Sequence, residues 1–233
     1  MERSSDPPSA AILPESSASI AGLLRTAMTL GCRGWSVAST SGEASVLPAD
    51  GALAVLLIGL PGSGKSTLAQ QLKQVQPQGQ WISCHWISTD VIRAQLFGDE
   101  AVQGEWFQVQ DEVERQLRQT ARQNGMAGKV IAIYDATHAI SGHRRAAIVL
   151  ARAAGFSTVA GLWLDVALDR CLEWNRRRDR KVPNAAILQM HHQLCNAPPH
   201  LNDGFDCLVQ IRPASDAWRD GFHRSGPDDR KSG

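Results

Sequence analysis

An uninterrupted apolar run, residues 52–58, leads directly into a glycine-rich segment, and this junction constrains the fold most. The segment, residues 59–66, reads GLPGSGKS and fits the pattern GxxxxGK[ST]. Glycines permit backbone conformations that aim successive N–H groups inward, and a helix that begins at the lysine adds partial positive charge. The junction therefore predicts a strand, a phosphate-binding loop and a helix. The alternative, a glycine-rich turn with an incidental lysine, is disfavoured because the pattern rarely arises by chance.

The residues of this loop have expected roles in binding ATP and Mg²⁺. Lys65 is expected to reach the β and γ phosphates, and the Ser66 hydroxyl is expected to be a magnesium ligand. The predicted nucleotide-binding set is Gly59, Gly62, Ser63, Gly64, Lys65, Ser66 and Thr67.

Short apolar runs alternate with helical patterns after the loop, which predicts an α/β fold. Strands separated by helices imply right-handed crossovers and a doubly wound, mostly parallel sheet of five strands. The predicted strands are residues 52–58, 81–88, 129–134, 158–164 and 205–211, and the predicted helices are 65–75, 91–97, 105–123, 143–154, 166–177 and 184–194.

Length and composition favour one main core in a soluble protein. The 233 residues are 43% hydrophobic and 20% charged, and the net charge of +1 excludes a polycation that coats nucleic acid. The longest apolar run is too short for a membrane helix, and the amino terminus has no apolar leader segment, so we expect a cytoplasmic protein. Five cysteines without a CxxC pair indicate neither a disulfide framework nor a zinc site.

Three domains or segments are expected along the chain. Residues 1–50, rich in Ser, Ala, Pro and Gly, are interpreted as a mobile arm with a possible short helix over 20–30. Residues 51–213 form the α/β domain, and residues 214–233 form a polar tail. The pattern leaves the purpose of the arm and the oligomeric state open.

An acid and an arginine follow the second predicted strand. Asp90 and Arg93 are three residues apart and share a helix face, which directs both side chains across the carboxyl edge of the sheet. A carboxylate suits the proton of an acceptor hydroxyl, and a guanidinium suits a transferring phosphoryl group. The alternative interpretation is a helix cap, formed by Ser88, Thr89 or Asp90, beside a solvated arginine.

Asp135 ends the third predicted strand, where a carboxylate linked to magnesium is expected. A turn-forming aspartate is the alternative interpretation. His138 and His143 follow in the same segment, and we interpret both as ordinary loop histidines because no metal-ligand spacing accompanies them. Contact with the substrate is the alternative interpretation of both histidines.

Basic residues cluster between positions 170 and 181, with six Arg or Lys against two acids and a local charge of +4. The cluster predicts a small lid that closes over the triphosphate, with Arg178 or Arg177 neutralising the charge on the transferring group. A solvated helix face is the alternative interpretation.

Taken together, these segments resemble the P-loop kinases similar to the 5′-kinase domain of phage-type polynucleotide kinase, which are also grouped as AAA-type ATP-binding kinases. The resemblance covers about 160 residues and rests on GLPGSGKST at 59–67, STDVIR at 88–93, YDATHAISGHRR at 134–145, WLDVALDRCLEWNRRRDRKVP at 163–183 and NDGFD at 202–206.

By that resemblance Asp90 is the general base and Arg93 the adjacent substrate or phosphate ligand. Asp135 is the acid of a DxTN-like segment, Arg178 is the lid arginine, and Lys65 with Ser66 forms the triphosphate and metal site. The chain departs from the family at His138, where an asparagine is usual.

The combination predicts an ATP- and Mg²⁺-dependent kinase that transfers the γ-phosphoryl group to an acceptor hydroxyl. A polynucleotide 5′-hydroxyl is favoured, because the basic lid and an excess of Arg over Lys (19 to 5) suit a phosphate backbone. Trp86, Trp106 and Trp174 could stack on bases, although core packing is the commoner role of such residues.

Two other functions stay open. One is a small-molecule kinase of the same fold, and the other is a nucleotide-gated ATP-binding switch without kinase activity. Asp90 and Arg93 discriminate between a kinase and a switch, since a simple switch has no need of either.

Overall fold

The computed structural model describes residues 35–42, 51–74, 81–102, 104–124 and 129–214. These residues form six strands and six α-helices. The strands are β1 (Trp35–Ser41), β2 (Leu53–Ile58), β3 (Trp81–Ser88), β4 (Lys129–Asp135), β5 (Thr158–Leu164) and β6 (Cys207–Pro213). The helices are α1 (Lys65–Gln74), α2 (Thr89–Phe97), α3 (Trp106–Ala121), α4 (Ser141–Ala154), α5 (Leu168–Arg176) and α6 (Asn184–Asn196).

All six strands belong to one sheet, in the order β1-β6-β5-β2-β4-β3. Strands β2 to β6 are parallel to one another, and β1 pairs antiparallel with β6 at one edge. Every residue of β2 is buried, which explains why its sequence is a continuous apolar run rather than an alternating one. The mostly parallel α/β prediction is therefore confirmed.

The sheet has six strands rather than the predicted five because Trp35–Ser41 adds an antiparallel strand. This strand lies in the segment interpreted as an arm. Its sequence, WSVASTS, has only two large apolar side chains and none of its residues is fully buried, so its hydrophobic signal is weak. The expected helix over residues 20–30 and the tail from 215 onward lie outside the described residues, and the domain boundaries stay predictions.

The predicted element boundaries are close to those observed, with two instructive differences. Helix α2 begins at Thr89, two residues earlier than predicted, because Ser88 caps it by accepting a bond from the Val91 N–H at 3.5 Å. Strand β6 begins at Cys207 rather than residue 205, and Phe205 packs into the core ahead of the strand.

Strand register brings three predicted site segments to one edge of the sheet. Asp135, the last residue of β4, pairs with Leu57 of β2 on one side and with Ser88 of β3 on the other. Because β2 and β3 run parallel to β4, the glycine-rich loop after β2 and Asp90 after β3 lie at the same carboxyl edge.

None of the helices in the described part of the chain is both long enough and apolar enough to cross a membrane.

Candidate active site

The loop between β2 and α1 has the left-handed backbone that its glycines permit. Gly62 has φ +80° and Gly64 has φ +91°. A Cβ at Gly62 would lie 2.4 Å from the carbonyl oxygen of Cys171 on α5, so only glycine fits this close approach. The loop is also tied to the neighbouring connection, since the Gly59 N–H donates to the Thr137 carbonyl at 3.1 Å.

Lys65 opens α1 and lies almost entirely inside the loop, with 8% of its surface exposed. Its Nζ donates to the carbonyl oxygens of Gly59 at 2.9 Å and Leu60 at 2.8 Å. Burial lowers the pKa of Lys65, while the charges of Asp135 and Asp90 act in the opposite direction. Both carboxylates are therefore close enough to stabilise the ammonium electrostatically.

Asp135 and Ser66 form a pair of oxygen donors beside the lysine. Asp135 is buried, which raises its pKa, and the Lys65 charge and a hydrogen bond from Ser66 oppose that rise. Trp86 of β3 also donates from Nε1 to Asp135 Oδ2 at 3.2 Å. Carboxylate and hydroxyl oxygens are the ligands that Mg²⁺ prefers.

The loop and this pair fit a magnesium nucleotide. Buried Ser63 Oγ, inside the loop, has no hydrogen-bond partner among the described residues. The fixed backbone of the glycines, the ammonium of Lys65 and the oxygens of Ser66 and Asp135 supply the donors and ligands that such a group requires.

Asp90 is held by two guanidinium groups. Its Oδ1 accepts from Arg93 at 3.0 Å, one helical turn along α2, and its Oδ2 pairs with Arg180 at 3.1 Å. Asp90 remains 41% exposed. Because Ser88 makes the capping bond of α2, the Asp90 carboxylate is directed to these arginines rather than to the helix terminus.

Arg180 and Trp106 make contacts around Asp90 and Arg93 that the sequence did not predict. Arg180 also reaches Glu100 at 3.5 Å, and the Arg93 guanidinium lies 5.9 Å from the ring centroid of Trp106. These partners come from segments far apart in the chain, so no local spacing reveals the pairs. Trp106 is 51% exposed, whereas Trp86 and Trp174 pack against the core.

The basic cluster forms a turn after α5, which we call the arginine turn (residues 177–182). The Asn175 side chain closes this turn with two hydrogen bonds to the backbone of Val182. Its Nδ2 donates to the Val182 carbonyl at 2.7 Å, and its Oδ1 accepts from the Val182 N–H at 3.0 Å. A Cβ at Gly62 would lie 3.3 Å from the backbone nitrogen of Asn175, so the arginine turn begins directly beside the glycine-rich loop.

The guanidinium groups of Arg177 and Arg178 interact with different groups. Arg177 forms an ion pair with Glu173 on α5. Arg178 is exposed, and its charge contributes to lowering the pKa of Lys65 after the larger effect of burial. Of the two arginines proposed for the lid, Arg178 is thus the one that acts electrostatically on the glycine-rich loop.

His138 lies in the loop after β4, as its interpretation as a loop histidine predicts, and its side chain is buried. Its Nδ1 donates to the Leu57 carbonyl at 2.8 Å, and its ring packs edge-on against Tyr134. Burial lowers the pKa of His138 to about 4, so the ring is neutral at pH 7. Its backbone has φ +47°, a conformation that asparagine adopts more readily than most residues.

A buried arginine supports the same connection. Arg144 on α4 donates to Asp203 Oδ2 at 2.6 Å and to the carbonyl oxygens of residues 138, 139, 197 and 198. Arg144 is completely buried, so these bonds offset the cost of removing its charge from water. The connection after β4 is consequently fixed relative to the loop.

Comparison with known families matches residues 55–197 to the AAA domain family, more than half of the chain. The chain belongs to the AAA domain family. The match confirms the AAA-type P-loop resemblance and supports nucleotide binding, and it does not identify an acceptor.

Two solved structures are similar to part of the chain. Kti12 of Chaetomium thermophilum, in complex with ADP-AlF3, is 20% identical with a TM-score of 0.42 and covers 60% of this chain and 79% of its own. The tunicamycin resistance protein of Deinococcus radiodurans is 17% identical with a TM-score of 0.42 and covers 62% of this chain and 80% of its own. No curated protein matches the sequence.

Proposed function

We propose that this protein is an ATP- and Mg²⁺-dependent kinase that transfers the γ-phosphoryl group to an acceptor hydroxyl. The observation that carries the proposal is Asp90, a half-exposed carboxylate held between two arginines at the same sheet edge as the buried Lys65. A nucleotide switch needs the loop and the lysine but not this carboxylate.

The donor end of the reaction is served by buried groups. The loop backbone and Lys65 bind the polyphosphate, and Ser66 and Asp135 would hold Mg²⁺. When bound, the ion neutralises charge on the phosphate oxygens. Arg178 adds a cation near the loop, where negative charge is spread over the transferring group.

Asp90 serves the acceptor end. The acceptor oxygen attacks the γ-phosphorus, the bond between that phosphorus and the β–γ bridging oxygen breaks, and the acceptor proton passes to Asp90. The products are ADP and a phosphate monoester. Because a carboxylate has about four lone-pair sites, Asp90 accepts the hydroxyl without losing both of its arginine partners.

A polynucleotide 5′-hydroxyl is the first acceptor to test. The arginine turn presents exposed guanidinium groups that suit a phosphate backbone, and the exposed ring of Trp106 lies beside Arg93. A small molecule with a hydroxyl group would use the same carboxylate and is the second acceptor class.

The test is to incubate the protein with γ-labelled ATP and Mg²⁺, with and without acceptors. The panel contains a 5′-hydroxyl oligonucleotide, the same oligonucleotide already carrying a 5′-phosphate, and a set of small alcohols. Label on the 5′-hydroxyl oligonucleotide alone supports the polynucleotide acceptor, and label on a small alcohol supports the second class. Release of phosphate at a rate that no acceptor changes would identify a switch and refute the kinase.

A further inference from the structure

Trp35 lies at the carboxyl edge of the sheet although it belongs to the antiparallel strand β1. It is the first residue of β1 and pairs with Pro213, the last residue of β6. The parallel strands end at this edge, and ligands of such sheets gather there. The direction of β1 therefore brings its first side chain to the side where the glycine-rich loop lies.

The indole ring of Trp35 lies against the loop itself. A Cβ built on Gly64 would lie 3.4 Å from Cζ2 and 4.0 Å from Cη2 of this ring. Strand β1 is separated from β2 by β6 and β5, a distance of about 14 Å across the sheet. The ring thus reaches across the edge of the sheet to the residue that precedes Lys65.

The two ends of a bound nucleotide are expected on opposite sides of β2. On one side of β2, Asp90 follows β3 and Asp135 ends β4. Trp35 comes from β1, on the other side of β2 beyond β5 and β6. If the γ-phosphate faces Asp90, the α-phosphate and nucleoside point towards β6 and β1.

We propose that Trp35 is the stacking platform for the base of the nucleoside triphosphate bound at the glycine-rich loop. This inference rests on the proposed function for the direction of the γ-phosphate. The indole is partly buried and packs against the core, so it is held in place before the base arrives and loses little conformational freedom on binding. Stacking of an aromatic ring on a base favours binding whichever base it is, because every base has a π-face.

The test compares ATP with inorganic tripolyphosphate, which has the phosphates but no base. Calorimetric titration of the full chain with Mg²⁺ measures both affinities for the parent protein, Trp35→Leu and Trp35→Phe. We expect Trp35→Leu to weaken ATP binding about 10-fold and Trp35→Phe to weaken it less, because phenylalanine keeps a π-face. Tripolyphosphate affinity stays within about 2-fold in both variants, since the loop is unchanged. The control is Phe107→Leu, which removes an exposed aromatic ring on α3.

Two calorimetric results would overturn the inference. Unchanged ATP affinity in Trp35→Leu means that the ring does not contact the base. An equal loss of ATP and tripolyphosphate affinity means that the ring only supports the loop. Failure of the parent protein to bind ATP would overturn the proposed function as well, which separates the two failures.

A second measurement does not depend on the folding of Trp35→Leu. In protein labelled with 5-fluorotryptophan, the ¹⁹F resonance absent from Trp35→Phe belongs to Trp35. We expect ATP to shift this resonance and tripolyphosphate to leave it nearly unchanged. A resonance that responds equally to both ligands would contradict base stacking.

Discussion

The proposed phosphate-donor side of the site, at the glycine-rich loop, and the proposed acceptor side, around Asp90, are built in different ways. On the donor side, Lys65 and Asp135 are buried and bonded to neighbouring backbone or side-chain groups. On the acceptor side, Asp90, Arg180 and Glu100 are partly exposed and meet through ion pairs between segments distant in sequence. The groups on the donor side are thus held rigidly. The exposed ion pairs on the acceptor side contribute only about 0–1 kcal/mol each to the stability of the fold, so they rearrange easily.

This difference suits the two steps that we propose. A polyphosphate needs donors fixed before it binds, because their alignment then costs nothing during the reaction. The acceptor hydroxyl needs a carboxylate that can give up one of its existing partners. Asp90 can break an ion pair with one arginine to bind the hydroxyl and keep its pair with the other. The predictions below separate the two sides by the size and kind of effect expected.

Replacing the donor-side ammonium should have the largest effect. Lys65→Met removes the cation that we propose contacts the β and γ phosphates, and we expect phosphoryl transfer to fall by about 10³ or more. The measurement is the rate of label transfer at saturating acceptor. Lys73→Met, on the exposed side of the same helix, is the matched control. Full activity in Lys65→Met would refute the triphosphate assignment.

The buried His138 is expected to make the stability of the fold depend on pH. The folded protein holds His138 neutral with a pKa of about 4, below its ordinary value of 6.5. The unfolded chain therefore binds a proton first as pH falls, so this contribution to stability is complete above about pH 6.5 and is lost between there and pH 4. The expected loss is roughly 3 kcal/mol.

The check is urea unfolding of the parent protein and His138→Asn at pH 7 and pH 4.5. Asparagine tolerates the left-handed backbone at this position and does not titrate. We expect the variant to lose distinctly less stability on acidification than the parent protein. Equal losses in both proteins would show that His138 is not the group responsible.

On the acceptor side, Asp90→Asn should leave ATP binding intact and slow transfer by about 10². The amide keeps the shape of the side chain but cannot take the proton of the acceptor. Titration with ATP and single-turnover transfer, measured on the same preparation, provide the comparison. Asp111→Asn, an exposed acid on α3, is the control. An unchanged turnover would remove Asp90 from the mechanism.

The arginine turn should give the smallest effect. Arg178→Ala is expected to lower turnover about 10-fold while changing ATP affinity less, because the charge matters most in the transition state. Arg177→Ala is the close comparison, since that arginine pairs with Glu173. A loss of ATP affinity alone in Arg178→Ala would make it a binding residue only, and equal effects of both variants would remove the distinction between them.

Much of the donor side could be predicted because its signals are local. The apolar run, the glycines and Lys65 are adjacent in sequence, and their periodicity identifies the strand, loop and helix. Asp135 followed from the rule that ligands gather where parallel strands end. The roles of these residues stay predictions that the variants above test.

The rest was hidden because it depends on long-range pairing. Strand β1 shows few apolar residues, and its partner β6 lies about 170 residues later, so nothing local indicated that Trp35 reaches the loop. Arg180 was one of several arginines, and only the fold shows that it meets Asp90. His138 gave no local sign of being buried, because the bond that holds its ring, to the Leu57 carbonyl on β2, joins residues 81 positions apart.

The proposed reaction requires that an acceptor hydroxyl fits between Asp90 and the γ-phosphate of ATP held in the glycine-rich loop. A crystal structure with Mg²⁺ and a non-hydrolysable ATP analogue tests it directly. We expect a distance of about 5 Å from an Asp90 carboxylate oxygen to the γ-phosphorus, the span of one hydrogen-bonded, attacking hydroxyl. A separation of about 10 Å or more, or a γ-phosphate directed away from Asp90, would contradict it.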